Sequence, residues 1–231
     1  GKLLVKDGSV DMKNLSMNTM GGSVVMNGAY STAQDETHPK LNASFAMNEL
    51  SFAQTFKELD MVQKMAPIFE NLKGNFSGKI QIDTKLDSVM SPIFDTTNGS
   101  GSLSTKNLNL SGVSVLDKIA DATKYPALKN PSLKDINIKF LIKDGRVTAD
   151  PFETFIQTAK LNVSGSSGLD QTLDYVTTIT LPESIKSLVP LAIDVKIGGT
   201  FRNPKISIGA EKTLENLKET AIETVTKVVD E

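Results

Sequence analysis

Few side chains in this 231-residue sequence have the type and spacing that catalysis requires. His38 is the single histidine, and it precedes Pro39 in a polar stretch, where an imidazole is usually solvated. The chain has no cysteine, which excludes disulfides, thiolate metal sites and a cysteine nucleophile. A nitrogen or sulfur metal site would lack ligands, and a Ser-His-Asp triad would depend on the one loop histidine. We therefore expect no enzyme, no cofactor and no metal.

Two further patterns approach known binding motifs and then depart from them. Asp83 and Asp87 place two carboxylates along a predicted strand, but no glycine-hinged calcium loop surrounds them. The stretch from Gly74 to Lys79 is one residue shorter than a phosphate-binding loop and leads into a strand, and Ile80 stands where Ser or Thr is needed. Both patterns predict ordinary polar surface.

Composition narrows the class of protein. The formal net charge is −2, so the chain has no basic footprint for nucleic acid. Hydrophobic residues make up 39%, and abundant Ser, Thr and Asn favour many half-exposed strands over a thick core. No apolar run approaches the roughly 18 residues that a membrane-spanning helix needs. The chain opens with Gly1 and not with Met, so we expect a fragment of a longer protein.

One stretch occurs twice, 137 residues apart. Residues 6–10 (Lys-Asp-Gly-Ser-Val) return as residues 143–147 (Lys-Asp-Gly-Arg-Val), and the later glycines Gly28 and Gly165 keep the same spacing. A repeated unit of this kind usually cannot cover its own apolar face and stacks on a neighbour. We predict a first unit over 1–98, a related second unit over 99–209 and a C-terminal amphipathic helix over 210–231. The glycine-rich residues 98–101 are predicted to be a flexible joint between the units.

Turn and periodicity signals define the elements. Each Asp-Gly pair predicts a β-hairpin, because a type I′ turn needs positive φ at both central residues. Apolar residues then alternate with polar ones, as on strands with one wet face. The predicted fold class is α+β, with a largely antiparallel, curved and groove-like β-sheet of two related units and inserted amphipathic helices.

Three insertions carry helical periodicity. The first begins at Ser51 as a capping residue, is kinked or broken into two pieces at Pro67 and ends at Gly74. The second runs from Ser114 to just before Pro126. The third is a short helical piece around residues 182–189. A bulge is expected near Asn107, where the strand alternation slips by one residue.

The strands carry the most informative pattern. Their alternating apolar residues are predicted to share one face of the sheet, and the predicted lipid-contact residues are Phe45, Met47, Ile80, Ile82, Ile138, Phe140, Leu161, Val163, Tyr175, Ile179, Ile193 and Val195. One interpretation is an ordinary core in which this face meets the helices. The other leaves part of the face open as a trough for acyl chains, where each buried methylene contributes about 0.8 kcal/mol.

The second half of the chain resembles a known family. The Asp-Gly-Arg-Val turn at 144–147, the glycine-ended strand at 161–165 and the closing Gly-Thr-Phe-Arg-Asn-Pro at 199–204 are similar to the C-terminal region of AsmA-like proteins of Gram-negative bacteria. The resemblance covers roughly residues 100 to 210, and is weaker over the first half. The family has no catalytic residues to carry over.

The resemblance implies a location and a role. AsmA-like proteins are periplasmic, anchored to the inner membrane by an N-terminal helix, and linked to outer-membrane assembly and phospholipid transport. The implied function is a non-enzymatic module that lines or caps an apolar groove, with phospholipid or another acyl-chain ligand as its partner. The alternative is a closed-core scaffold that binds envelope protein partners through strand edges or the last helix.

Overall fold

The sheet dominates the molecule. In a computed structural model, described for residues 1–123, 125–182 and 192–209, thirteen strands form one antiparallel sheet. The strands are β1 Lys2–Lys6, β2 Ser9–Thr19, β3 Gly22–Ser31, β4 Lys40–Ser51, β5 Leu72–Lys85, β6 Asn98–Leu110, β7 Ser132–Leu133, β8 Ile136–Lys143, β9 Arg146–Ile156, β10 Ala159–Gly168, β11 Leu173–Thr180, β12 Ala192–Gly199 and β13 Pro204–Ile208. The predicted largely antiparallel, strand-rich sheet is confirmed, and only a few helices accompany it in the described part of the chain.

Spatial order follows chain order almost without exception. Each strand pairs with the strand before and after it, from β1 to β13. The one complication is the two-residue β7, which bridges one end of β6 to β9 while β8 fills the rest of the gap. Antiparallel neighbours need no crossover connection, so the order of the strands along the chain largely determines the topology.

Both Asp-Gly pairs form the predicted hairpins. Asp7 and Gly8 have φ of 48° and 71°, and Asp144 and Gly145 have φ of 48° and 72°. These positive values match the type I′ turn, whose twist suits the flanking strands. The turns connect β1 to β2 and β8 to β9, with the same two-residue loop in each case.

The 137-residue offset found in the sequence also relates the bounds of two pairs of strands and a β-bulge within each pair. Adding 137 to the bounds of β2 and β3 gives the bounds of β9 and β10. A register shift separates the pairs Met12–Gly28 and Leu15–Met26 in the first hairpin. The corresponding shift separates Ala149–Gly165 and Phe152–Val163 in the second. Bulges re-aim side chains and increase local twist, so both hairpins bend at the same point.

The first helical insertion is more broken than predicted. It forms helix α1 (Phe52–Glu58), helix α2 (Asp60–Met65) and a 3-10 turn (Pro67–Asn71). The predicted break at Pro67 is confirmed, and a second break occurs at Leu59, whose φ and ψ of −115° and 100° are extended. Three short pieces replace a continuous amphipathic helix.

The start of this insertion was predicted correctly, and its end was not. The Ser51 hydroxyl accepts a hydrogen bond from the Gln54 backbone N–H at 3.4 Å, which confirms the predicted N-cap. The predicted end at Gly74 is wrong, because β5 already begins at Leu72. Gly74 has a φ of 125° and lies at a register shift between β5 and β6, so the glycine serves a bulge.

The segment after β5 also differs from its prediction in one respect. Helix α3 spans Ser114–Thr123, as predicted, and a 3-10 turn follows at Pro126–Leu128. Residues 98–101 are the start of β6 and pair with both β5 and β8, so the predicted flexible joint is wrong. Glycines placed at alternate positions allow close side-chain packing in a strand as readily as they allow flexibility. The bulge expected near Asn107 is present.

The helices cover one end of one sheet face. A single hydrophobic cluster joins α1, α3 and the sheet, with Leu50, Leu128 and Ile156 among its least exposed members. The rings of Phe52, Phe69 and Phe76 pack mutually, with centroids 4.7–5.6 Å apart. These rings attach α1 and the 3-10 turn to β5. The helix predicted over 210–231, and residues 183–189 of the third helical piece, lie outside the described residues.

Candidate functional site: the apolar face of the sheet

Strand register defines which side chains share a face. Directly paired residues of antiparallel strands project to the same side of the sheet, and the side alternates along each strand. Starting from Phe45 on β4, pairing gives one unbroken row across to β13: Phe45, Ile80, Gly101, Phe140, Ala149, Gly165, Tyr175, Ile197 and Ile206. We call the side on which this row lies the apolar face, and the other side the polar face.

All the residues predicted to contact lipid lie on the apolar face. Met47 is paired through Gly78 and Leu103 to Ile138, one step from the Phe45 row. Ile82 is two residues from Ile80 on β5 and so shares its face. Beyond the bulge in β9, two further rows complete the set; they are Val163–Thr177–Val195 and Leu161–Ile179–Ile193. The alternation seen in the sequence therefore continues in phase across the sheet.

Four of these residues are enclosed in the core. Leu161, Ile179, Ile193 and Val195 are at most 7% exposed and belong to the hydrophobic cluster. Their side chains already contact protein on all sides. At this end of the apolar face, the ordinary-core interpretation describes the structure.

The remaining predicted residues are only half-buried. Phe45, Met47, Ile138 and Val163 pack against the margin of the core cluster. Ile80, Ile82, Phe140 and Tyr175 lie outside that cluster and its margin. We call these last four residues the open patch. Ile80, Phe140 and Tyr175 belong to the Phe45 row itself, and Ile82 lies one row further from the core cluster.

Glycines occupy positions on the apolar face that the sequence alone assigned to a flexible joint or to turn chemistry. Gly78, Gly99 and Gly101 occupy apolar-face positions on β5 and β6. The Phe140 ring fills the space where a side chain on Gly101 would lie. The available signal was the alternation of glycine with serine from Gly99 onward, which has the period of a strand and not of a linker.

The first strands extend the apolar face toward an uncovered edge. Leu3 and Val5 of β1 lie on the same face as Met12 and Val10, and are 62% and 73% exposed. Leu4, on the opposite side of the same strand, is 58% exposed. Lys2 and Lys6 share that side with Leu4, but the outer backbone of this edge strand is unpaired in the sheet and is a template for pairing with another strand.

Charge is confined to the polar face. Among the described strands, no charged residue is directly paired with a member of the apolar-face rows. The ion pairs between strands are on the polar face, such as Lys40–Asp83 at 3.3 Å and Lys160–Glu153 at 2.6 Å. An apolar molecule on the apolar face would therefore desolvate no buried charge.

His38 belongs to a local loop structure. Its Nδ1 lies 3.3 Å from Asp35 Oδ2, and its backbone N–H donates to Asp35 Oδ1 at 3.0 Å. The hydroxyl of Thr37 and the His38 backbone N–H hold the pKa of Asp35 at about 2. The arrangement fixes the turn between β3 and β4. Within the described ranges, no group of three or more metal-ligating side chains gathers around it.

No protein-family model, curated protein or solved structure matches this chain. Among the described residues, no helix is both long enough and apolar enough to span a bilayer.

Proposed function

We propose that this chain is a non-enzymatic, lipid-handling module whose apolar sheet face binds acyl chains. The observation that carries the proposal is the open patch. Its residues, including Ile80 and Phe140, continue an uncharged face beyond the region that the helices cover. Acyl chains would lie along this face while the head group stays in water.

The energetics require no polar recognition. Each methylene removed from water contributes about 0.8 kcal/mol, so burying six of them contributes roughly 5 kcal/mol before the entropy of ordering the chain. On a half-buried surface each methylene loses only part of its contact with water, so it contributes only part of this free energy. Binding of this kind depends on the length of apolar face and on the absence of charge, and does not select one lipid species.

We further propose that the two hairpin regions are copies of one unit within a protein similar to the AsmA-like family. The shared strand bounds and the shared bulge support this relationship. Under this proposal the intact protein is periplasmic and anchored to the inner membrane, and it contributes to outer-membrane assembly or phospholipid transport. The curved, groove-like shape of the sheet is part of the same proposal.

Two residues on opposite sides of the sheet provide a test. Phe140 belongs to the open patch, whereas Val176 is 40% exposed on the polar face. A photo-crosslinking benzoylphenylalanine at position 140 should label a phospholipid added in detergent-free buffer. The same group at position 176 should label it at least about five-fold less, since it projects to the other side of the sheet.

The result that would overturn the proposal is equal labelling at both positions, or none at either. Thermal melting of each variant shows whether the substitution leaves the fold intact. Adding an excess of unlabelled phospholipid distinguishes specific binding, which it should compete away, from general adsorption of the labelled phospholipid.

The alternative function is a closed-core scaffold that binds envelope proteins. The exposed apolar edge strand β1 is the observation that favours it. A partner strand could pair along Lys2–Lys6 and cover Leu3 and Val5. A Leu3→Pro substitution removes a backbone N–H that points away from β2, so it should abolish such pairing and leave lipid labelling at position 140 unchanged.

A further inference from the structure

A row of small hydroxyls runs along the polar face at the middle of the sheet. On β6, Ser100 and Ser102 alternate with Gly99 and Gly101, which lie on the apolar face. The serines therefore project to the opposite side. Longer side chains stand on the strands to either side, so the serines form the floor of a furrow.

The furrow is part of a substantial hollow. An open hollow of about 740 Å³ lies over β3 to β9, with the backbone of the Phe45 row beneath it and polar-face side chains around it. Gln81 and Leu141 are paired on either side of Ser100 and form the walls at that level. We call this the serine furrow.

Two lysines face each other across the furrow. Lys79 on β5 and Lys139 on β8 are both paired with Ser102, which lies between them. Their α-carbons are about 10 Å apart, twice the spacing of neighbouring strands. Each lysine stem has four methylenes, so both ammonium groups can reach a point above the Ser102 hydroxyl.

None of these donors is used within the described part of the protein. The side chains of Lys79, Lys139, Ser100 and Ser102 form no hydrogen bond or ion pair with another described residue. Elsewhere on the polar face, lysines such as Lys160 are paired with acids. The furrow thus concentrates two positive charges and two free hydroxyls in one concave place.

We propose that the serine furrow binds a phosphate group. The two ammonium groups supply charge-assisted hydrogen bonds to the phosphate oxygens, and the serine hydroxyls donate from the floor. Asp150 lines the same hollow and reduces its formal charge from two positive to one. The group can belong to a lipid head group or to a soluble phosphate compound. This site is on the opposite side of the sheet from the open patch and does not depend on the lipid-handling proposal.

The test is a titration followed by amide chemical shifts, with two probes. Inorganic pyrophosphate presents the soluble source, and monomeric dihexanoylphosphatidylglycerol presents the head group. Saturable shifts at Ser100 and Ser102 with pyrophosphate support a soluble ligand. Saturable shifts with the lipid alone support a head-group ligand. The absence of saturable shifts at these serines with both probes overturns the proposal.

Charge variants test the assignment to these lysines. Lys79→Gln and Lys139→Gln should each weaken binding about three-fold, the effect of losing one exposed ion pair. Asp150→Asn should tighten it about two-fold by removing a like charge to the ligand. Lys196→Gln is the matched control, because Lys196 is an exposed polar-face lysine on β12, outside the hollow.

The pattern across the variants decides the outcome. An equal effect of the Lys196 and Lys79 substitutions would show general charge attraction and overturn the site. Raising the salt concentration should weaken binding to the parent protein more than binding to the double lysine variant. All four positions are exposed strand positions, and circular dichroism verifies that each variant folds.

Discussion

Several threonine hydroxyls are buried without a hydrogen-bond partner. Among the described residues these are Thr55, Thr105 and Thr154. Thr105 and Thr154 lie on the apolar face beneath the helices, where a β-branched residue suits the strand but a hydroxyl has nothing to bond. A buried hydroxyl that loses its water without gaining a partner destabilises the fold by about 1–3 kcal/mol.

This observation gives a prediction with an internal control. Thr105→Val should raise the free energy of unfolding by about 1 kcal/mol, because valine has nearly the same shape and no polar group to desolvate. Thr97 is equally buried, at 3%, but its hydroxyl lies 2.7 Å from that of Thr84 and 3.1 Å from the Ile93 carbonyl. Thr97→Val should therefore lower the free energy of unfolding by about 1 kcal/mol. Urea denaturation measures both; a loss of stability in Thr105→Val would contradict the assignment.

Asp35 gives a prediction for the dependence of stability on pH. The Thr37 hydroxyl first, and then the His38 backbone N–H, lower its pKa from 3.8 to about 2. A lowered folded-state pKa means that the stabilisation is complete above about pH 5 and is lost as the pH falls through about 2. The melting-temperature difference between the parent and Asp35→Asn should be constant near neutrality and shrink below about pH 4. A melting-temperature difference that grows as the pH falls would contradict this prediction.

The two Asp-Gly hairpins share their turn geometry but not their surroundings. Gly145 is buried, its N–H bonds the Thr97 carbonyl at 3.0 Å, and a side chain there would collide with the Phe94 backbone oxygen. Gly8 is exposed, and a side chain there would meet only the Thr32 hydroxyl at 2.8 Å. Sequence identity between two turns therefore does not make them equally tolerant of change.

We expect this difference to be measurable. Gly145→Ala should lower the free energy of unfolding by about 3 kcal/mol, from the positive φ and the backbone collision together. Gly8→Ala should lower it by about 1 kcal/mol, since only the φ penalty and a movable side chain oppose it. Chemical denaturation of the pair makes the comparison. An equal loss of unfolding free energy in both variants would contradict this prediction, because it would mean that the Phe94 backbone shifts at little cost.

Helical periodicity was less informative than strand periodicity in this chain. The stripe from Phe52 to Leu72 has the spacing of one amphipathic helix, but the structure breaks it at Leu59 as well as at Pro67. No breaker residue marks Leu59 in the sequence. The rings of Phe52 and Phe69 instead pack together with Phe76 of β5, and tertiary packing of this kind overrides local helical periodicity.

At the level of the whole molecule, the sequence predicted the sheet and its two faces. Alternation of apolar residues placed Phe45, Ile138 and Val195 correctly on one side, because a strand has no other period. Which parts of that side are covered was not predictable, since it depends on where the broken helices pack. The glycines of β6 were misjudged for the same reason. Only the neighbouring Phe140 ring shows why they are needed.

The relation between the two bulged hairpins has a consequence for how such a chain can grow. β2 and β9 are six positions apart along the sheet, counting β8 and not the short β7, so they run in the same direction. Inserting a further copy of this unit, with an even number of strands, would leave every apolar residue on its original side of the sheet. The sheet can therefore be lengthened by whole copies without exchanging its apolar and polar faces, whereas adding a single strand would reverse the direction of every strand after it.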